Sequence, residues 1–559
     1  MTSSKSSPTP GSDEGASYRA STAAAVLIAV LATITGWFCL QRKHFNLGSE
    51  SDFLGRFVPE AQRLLSGGPL LVDIHLPGYA VVLAGVERLV GDWLASGLLL
   101  SWLPSLAVLL CCWRLFARIG GGWAGLGAVG LLATSTVFLG FSAQASSDML
   151  FLAAFFGGML VVVRAMESSR WTDWALGGLL AGLTFMLRTN GIVLLALVLA
   201  PWLVQIGHRD RLKFSASFAV GAILPIVAWA FLAQHTHSPL FPTETHSNLA
   251  LTYYGDRGTA PHDQRMRLGE SFDSTLDVLL HDPLHVARIY LVDLLKLPAR
   301  IVLHAGWLPL ALLSALCLLY LAPWLRSRAG IVVLVIALLS TLLMNMKQFE
   351  SRYYLYLTPV LGAALGVVLE RWQARIAVER RANWLLAGLV LAVVAGMVPA
   401  VRAARAMAEP PEESREIAAV VAAVESQVPA GRPIVARKNL VTFYSGRPLI
   451  WFPEAITLDG LCEALRRDRH EGSVYLLIGA AERRIRPQIS AEVLSGALPG
   501  WARLAASGGP AGAGWALVEL SLGACGAVSR PPRPAVVAID PAAPGALAAT
   551  PADTRKEIR

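Results

Sequence analysis

The chain has 559 residues, of which 54% are hydrophobic and only 16% are charged, and its formal net charge is +9. Soluble domains carry about 25% charged residues, so this composition excludes a soluble globular protein. In a chain that crosses a membrane, a basic excess belongs in the loops on one side, and it therefore does not indicate nucleic acid binding.

The first 19 residues are rich in Ser, Pro and Gly and contain few apolar side chains. We expect residues 1–19 to form a disordered cytoplasmic N-terminus rather than a signal peptide.

Residues 20–405 contain apolar runs of about 16 to 20 residues. Such a run is long enough to cross a hydrocarbon core of about 30 Å. These runs predict a transmembrane domain over residues 20–405 with about 11 helical spans. The predicted spans are 22–40, 97–117, 122–142, 148–165, 173–187, 190–206, 213–234, 304–325, 329–346, 353–370 and 383–403. Segment 75–94 contains Glu87, Arg88 and Asp92, and is predicted to be a helix lying in the membrane interface.

Alternate loops between these spans hold clusters of basic residues, for example Arg209, Arg211 and Lys213. Because Lys and Arg in short loops favour the cytoplasm, these loops predict the inner side. Arg42 and Lys43 run against the rule after the first span, but the later loops outweigh them. The N-terminus is then cytoplasmic, and the 41–96 loop, the long 235–303 loop and the C-terminal region are external.

Residues 406–525 alternate helical patterns (416–428 and 458–467) with strand patterns (432–436 and 473–479), separated by Gly and Pro turns. This pattern predicts a small external α/β domain. Cys462 and Cys525 are the cysteines of this region, and whether they form a disulfide stays open. The Pro- and Ala-rich segment 526–559 is predicted to be a disordered tail.

Charged and polar side chains collect at the external ends of the spans. They are Glu50, Asp52, His75, Asp148, Arg188, Lys347, Glu350 and Arg352, with Tyr353 beside the last. Such groups either mark a functional site or reach out to water. For Asp52 and Asp148 the structural alternative is a helix N-cap, since Asp is favoured there, and for Arg188 it is a solvated helix end.

The order of these residues resembles a known family. An acidic pair (Glu50 and Asp52) follows the first span, then come HLPGY at 75–79, SSD at 146–148, GLTFMLR ending at Arg188, and RYYLYLTP from Arg352. This series is similar to that of the type-C membrane glycosyltransferases, especially the protein O-mannosyltransferases and the lipid A aminoarabinose transferases. The resemblance covers roughly residues 20–405.

The resemblance implies a role for each residue. Asp52 matches the catalytic carboxylate, Glu50 completes the acidic pair, and Asp148 is a second acid of the same cavity. His75 and Arg352 match contacts to the carrier phosphate, with Arg188 and Tyr353 also assigned to substrate binding. The aminoarabinose transferases have a lysine followed by two prolines where this chain has His75-Leu76-Pro77.

The implied reaction transfers a hexosyl or pentosyl group from a polyprenyl phosphate to a lipid, protein or glycan acceptor on the external (periplasmic) face of a bacterial plasma membrane. The bond between the anomeric carbon and the phosphate oxygen breaks through an oxocarbenium-like state while an acceptor hydroxyl attacks. A carboxylate takes the acceptor proton, and cations hold the leaving phosphate. No cofactor is required, and a divalent cation at the acidic pair stays open. A lipid-carried donor also needs no nucleotide pocket, in agreement with the absence of a P-loop or dinucleotide-binding motif.

Two other classes of protein are consistent with the spans. A transporter or flippase of lipid-linked sugars would carry ionisable groups near the midplane of several spans. A membrane anchor that presents the C-terminal domain as a binding module would not need so many spans or the acidic pair.

Overall fold

The structure is a computed structural model that describes most of the chain. The described residues are 11–41, 52–70, 72, 75–168, 170–242, 245–255, 268, 271–320, 324–347, 349–375, 379–408, 412–437, 439–453, 455–496, 498–509 and 514–525. The predicted disordered tail over 526–559 lies outside them.

The membrane domain is built from α-helices. They are α1 (Gly11–Gln41), α2 (Val58–Leu65), α3 (Gly78–Val90), α4 (Trp93–Ala133), α5 (Thr136–Ser142), α6 (Asp148–Ser168), α7 (Trp171–Leu187), α8 (His208–Thr236), α9 (Thr245–Tyr254), α10 (Thr275–His281), α11 (Pro283–Ala305), α12 (Leu308–Cys317), α13 (Arg328–Met344), α14 (Leu357–Arg375) and α15 (Glu379–Ala408). A π-helical turn (Phe53–Phe57) precedes α2, and 3-10 helices form Thr189–Leu203, Leu318–Tyr320, Trp324–Arg326 and Ser351–Tyr354.

Among the described residues, five helices are long and apolar enough to cross a membrane. They are Tyr18–Gln41 within α1, α4, α6, α8, and Asn383–Arg405 within α15. Shorter apolar helices accompany them at Thr189–Leu203, Leu308–Tyr320 and Arg328–Met344. The protein is therefore an integral membrane protein of mainly helical fold, as the sequence predicts.

Helix α4 covers two predicted spans in one run of 41 residues. At about 1.5 Å per residue such a helix would be twice as long as a bilayer core is thick. The backbone breaks at Gly120 and Gly121, and Gly121 has φ 83°, a conformation that favours glycine. The carboxylate of Glu370 lies against Gly121 where a Cβ would be. The first half of α4 therefore accounts for the span predicted at 97–117, whereas the span predicted at 122–142 is divided at Thr134 and Ser135 between the second half of α4 and α5.

Other predicted boundaries also differ from the structure. Helix α1 begins at Gly11, so residues 11–19 are helical rather than disordered, because extending an existing helix needs no new nucleation. The span predicted at 304–325 is divided at Gly306, where α11 ends and α12 begins. Thr134 accepts the N–H of Trp307 at 3.2 Å and so stabilises this break.

The predicted interfacial segment 75–94 contains α3, an amphipathic helix. Tyr79, Ala80 and Leu83 are buried, whereas Leu89 is 88% exposed. One face of α3 therefore packs on the protein and the other is free to lie in the membrane interface.

The C-terminal region forms the predicted α/β domain. Its elements are α16 (Glu412–Gln427), β1 (Ile434–Ala436), α17 (Leu440–Ser445), β2 (Leu449–Trp451), α18 (Leu458–Arg467), β3 (Ser473–Ile478), α19 (Ala480–Ile485), α20 (Pro487–Leu494), β4 (Ala502–Gly508) and β5 (Trp515–Ser521). The strand order is β2-β1-β3-β5-β4, with β2, β1 and β3 parallel and the other two pairings antiparallel.

Both faces of this sheet are covered. Val474, Leu476 and Ile478 of β3 pack in the core that includes α18 and α20, while Tyr475 and Leu477 face α16. The alternation follows from the two-residue period of a strand. Cys462 and Cys525 are joined in a disulfide, with a Cα–Cα distance of 6.4 Å.

Candidate active site

Asp52 lies directly before the π-helical turn, on the loop between α1 and α2. Its side chain makes no capping hydrogen bond, so the N-cap alternative does not account for it. Instead, Asp52 Oδ2 is 3.5 Å from His75 Nε2, and the side chains are 33% and 25% exposed. The carboxylate is therefore held by a histidine and still reaches solvent.

Aromatic packing fixes this loop against α3. Phe53 and Phe57 are buried, and the Phe57 ring lies 5.3 Å from the His75 ring and 4.7 Å, edge-on, from the Tyr79 ring. The packing orients the His75 imidazole towards Asp52. The HLPGY motif thus contacts the π-helical turn through its first residue, His75, and its last residue, Tyr79.

The surroundings of Asp52 keep it ionised. Burial by itself would raise the pKa of the Asp52 carboxyl, but the hydrogen bond and charge of His75 and the charges of Arg56 and Arg188 outweigh it. The pKa of Asp52 therefore lies below its usual value, and the group is a carboxylate at neutral pH.

Asp148 is the first residue of α6 and its side chain is only 6% exposed. One carboxylate oxygen pairs with Arg188 Nη1, and the other is 3.7 Å from Arg352 Nη1. Arg188 also donates to the Ser147 hydroxyl at 3.4 Å. A buried carboxylate between two guanidinium groups is satisfied by charge rather than by water.

The two arginines converge on one aromatic ring. Arg188 lies 5.5 Å and Arg352 lies 5.2 Å from the centre of the Tyr353 ring. Arg352 Nε also donates to Glu350 Oε2 at 2.6 Å. Arg188 follows the end of α7, and Arg352 lies in the 3-10 helix Ser351–Tyr354. Their side chains, 10% and 14% exposed, meet beside Asp148 at the start of α6.

Lys347 is a third cation near the arginine cluster, since the charge of Arg188 acts on it. Its ammonium donates to Asn190 Oδ1 at 3.1 Å, and the side chain is exposed. The protein that surrounds Lys347 lowers its pKa to about 8, with a further contribution from the charge of Arg188. The pKa of Glu350 is raised, mainly because the surrounding protein removes water from the carboxylate. The charge of Arg188 opposes this effect, and the charges of Asp148 and Asp52 add to it.

The structure thus brings together the predicted residues Asp52, His75, Asp148, Arg188, Arg352 and Tyr353. The charge of Asp52 acts on both Asp148 and Arg188, so the Asp52–His75 pair and the arginine cluster lie close enough to interact electrostatically. Glu50 lies outside the described residues. The sequence pattern placed Lys347 and Glu350 of KQFESR on the same external side but gave neither of them a role.

The described residues contain no group of three or more His, Cys, Asp or Glu side chains placed to hold a metal ion. Because Glu50 is not described, the divalent cation at the acidic pair stays a prediction.

Comparison with known proteins supports the same assignment of fold. A family profile described as dolichyl-phosphate-mannose-protein mannosyltransferase matches residues 74–233, a segment that includes His75, Asp148 and Arg188. No protein of curated function matches the chain by sequence.

Several solved structures resemble most of the chain, including the following two. ArnT from Cupriavidus metallidurans bound to undecaprenyl phosphate is 15% identical with a TM-score of 0.54, over 89% of this chain and 97% of that one. The oligosaccharyltransferase AglB from Archaeoglobus fulgidus, in complex with an inhibitory peptide and a dolichol-phosphate, is 10% identical with a TM-score of 0.54, over 82% of this chain and 70% of that one.

The chain has the fold of the type-C membrane glycosyltransferases, which confirms the resemblance predicted from its motifs. Within that class, the matching family profile is the mannosyltransferase one, and it spans less than a third of the sequence. At these identities the solved structures establish the fold alone.

Proposed function

We propose that the protein transfers a sugar from a polyprenyl phosphate to an acceptor hydroxyl on the external face of the membrane. The observation that carries the proposal is an ionised, solvent-accessible carboxylate, Asp52, within electrostatic reach of a cluster of cations around Asp148. Sugar transfer of this kind needs both a base and an anion site.

In this proposal Asp52 takes the proton of the acceptor hydroxyl. The carboxylate is ionised, and a third of its side chain is open to the cavity. The His75 contact supports a role in orienting Asp52. The phosphate contact that the resemblance implies for His75 stays a prediction.

The donor phosphate is assigned to Arg188, Arg352 and Lys347. Guanidinium groups bind phosphate oxygens through paired hydrogen bonds, and an ammonium adds a compact positive charge. The leaving phosphate remains an anion, so it needs cations and no acid. Asp148 is better placed to orient the two arginines than to touch the sugar, because it is buried between them.

The predicted sidedness puts this chemistry outside the cell. The charge bias of the short loops makes the ends of the spans that carry Asp148, Arg188 and Arg352 external. The dolichol-phosphate and undecaprenyl phosphate bound to the structural relatives support a polyprenyl carrier for the donor. The inhibitory peptide on one relative is consistent with a protein acceptor, and lipid and glycan acceptors remain alternatives.

A transporter or flippase of lipid-linked sugars is the alternative function. The ionisable residues of the cavity lie at the ends of their helices rather than in the middle, since Asp148 begins α6 and Arg188 follows the last residue of α7. This placement favours a transferase, because translocation requires polar groups along the path through the membrane.

The test is transfer of labelled sugar in membranes that contain the wild-type protein or Asp52→Asn at matched expression. The first donors are undecaprenyl- and dolichyl-phosphate mannose, followed by other hexosyl and pentosyl donors. We expect Asp52→Asn to reduce incorporation about 10²- to 10⁴-fold, because the general base is lost.

Asp92→Asn is the matched control. Asp92 caps α4 by accepting the N–H of Ala95 at 2.6 Å, and asparagine caps a helix equally well. Its incorporation should equal that of the wild type. Equal incorporation by Asp52→Asn and the wild type would remove Asp52 as the base.

A further inference from the structure

The π-helical turn after Asp52 leaves one backbone carbonyl without a local partner. In an α-helix the Leu54 carbonyl would accept the N–H of Val58, but Val58 donates to Phe53 instead. The next residue in register is Pro59, which has no N–H. A π-helical turn followed by proline therefore leaves the Leu54 carbonyl without a backbone donor.

The donor comes from the C-terminal domain. The Asn439 side-chain amide donates to the Leu54 carbonyl, across 385 residues of sequence. Asn439 is 8% exposed and Leu54 is 1% exposed, so the bond is shielded from water. A buried carbonyl that loses its donor lowers the stability of the fold. The contact with Asn439 therefore contributes to stability.

Asn439 is itself held firmly within its domain. It lies after β1, where the Glu482 carboxylate accepts the N–H of Arg437 at 2.8 Å and that of Gly479 at 3.0 Å. The Asn439 carbonyl accepts the N–H of Phe443 at 2.8 Å, which begins α17.

Helix α17 also packs on the membrane domain. Leu440 is part of the same apolar core as Phe53 and Leu54, with Phe443 and Tyr444 against it. The end of β1 and the start of α17 thus form a rigid support for the turn that follows Asp52.

We propose that Asn439 is a positioning residue of the site. By replacing the hydrogen bond that Pro59 cannot make, it holds the π-helical turn and so keeps Asp52 beside His75. This inference rests on the proposed function for the role of Asp52, but the contact itself is independent of any reaction. The C-terminal domain then contributes a positioning residue, Asn439, to the site.

The contact is tested without activity by hydrogen exchange of the full-length protein in nanodiscs. Asn439→Ala should raise exchange over residues 52–61 about tenfold, because the turn loses its outside support. Ser445→Ala is the matched control. It removes a buried hydroxyl of the same helix that bonds only to Val441 at 2.7 Å, and exchange over 52–61 should not change. Unchanged exchange in Asn439→Ala overturns the proposal.

The consequence for catalysis is tested by kinetics. Asn439→Ala should lower kcat about 10- to 100-fold, the effect of a small displacement of a catalytic group, with donor KM changed less than about twofold. A loss that appears in donor KM alone contradicts a role in positioning Asp52. If Asn439→Ala does not fold, Asn439→Asp replaces it, because it keeps the size and loses the donor.

Rescue distinguishes this role from a general structural one. Adding Pro59→Ala to Asn439→Ala supplies a backbone N–H in register with the Leu54 carbonyl. The double variant should recover slow exchange over 52–61 and at least about a third of wild-type kcat, as expected for coupled positions. A double variant as impaired as Asn439→Ala overturns the assignment. Absence of transfer by the wild-type protein would count against the proposed function, and the exchange experiment would still decide the role of Asn439.

Discussion

Asp52 and Asp148 are two carboxylates of one cavity in opposite surroundings. Asp52 has a single imidazole neighbour and a third of its side chain open to the cavity, whereas Asp148 is enclosed by two guanidinium groups. A group that must take a proton from an incoming acceptor needs access to it. In the proposed function, the difference in environment therefore favours Asp52 as the base and an orienting role for Asp148.

The sequence predicted the identities of these residues better than their contacts. The order of the motifs was enough to select Asp52, His75 and Asp148, because spans fix which ends share a side. It was not enough to orient His75, because that orientation depends on the Phe57 ring. The sequence did not predict a role for Lys347, because its contact with Asn190 depends on tertiary packing alone.

In the proposed site, Lys347 should give donor binding a pH dependence. Its pKa is lowered to about 8, so the ammonium is present below that pH and is lost as the pH rises through it. The donor phosphodiester keeps its charge over this range. We expect donor KM to rise about tenfold between pH 7 and pH 9.5, the effect of losing one charge-assisted hydrogen bond. Steady-state transfer at saturating acceptor measures it.

Lys347→Arg separates this residue from other titrating groups. Arginine keeps its charge throughout the range, so donor KM should stay flat with pH. Parallel KM profiles for the two proteins would show that Lys347 does not contact the donor.

At the scale of elements, the Asp148–Arg188 pair ties the start of α6 to the end of α7. Removing one partner leaves a buried charge, which costs about 3–5 kcal/mol in proteins. We expect Arg188→Met to unfold at lower temperature in detergent and to lose transfer. Asp148→Asn together with Arg188→Met should recover most of the stability and none of the activity, because the uncompensated charge is gone but the phosphate ligand is still missing.

The matched control is an exposed ion pair. Arg118 and Glu167 are 2.7 Å apart with side chains 41% and 58% exposed, so Arg118→Met should change stability by less than about 1 kcal/mol. If Arg188→Met is as stable as Arg118→Met, the Asp148–Arg188 pair does not hold these helices together.

Helix positions were predictable from apolar runs and helix breaks were not. The predicted helix at 458–467 and the span that begins at 148 match α18 and α6 closely. The division at Gly306 was missed, although Gly306 and Pro309 are both residues that interrupt helices. What stabilises the break is a hydroxyl on another segment, Thr134, and no local pattern contains that information.

At the scale of the molecule, the disulfide bears on topology. Structural disulfides persist in oxidising compartments, so the Cys462–Cys525 bond agrees with an external C-terminal domain. In denaturing detergent we expect a thiol-reactive polymer to label four cysteines before reduction, matching the four free cysteines, and all six after it.

Cys462→Ser with Cys525→Ser is the reference, which should show four labelled cysteines under both conditions. Its C-terminal domain should also be less stable by about 2–4 kcal/mol, the usual effect of opening such a loop. Labelling of all six cysteines without reductant would mean that the bond does not form in the cell.

The Asn439–Leu54 bond also sets an order of events during biosynthesis. Asp52 leaves the ribosome early, whereas its support is synthesised 385 residues after Leu54. A nascent chain that has inserted its helices but not yet folded the last domain holds the arginines without a fixed base. If Asp52 is the base, we therefore expect transfer of sugar to begin only after the domain that carries Asn439 has folded, and truncation before residue 439 to yield an inserted but inactive protein.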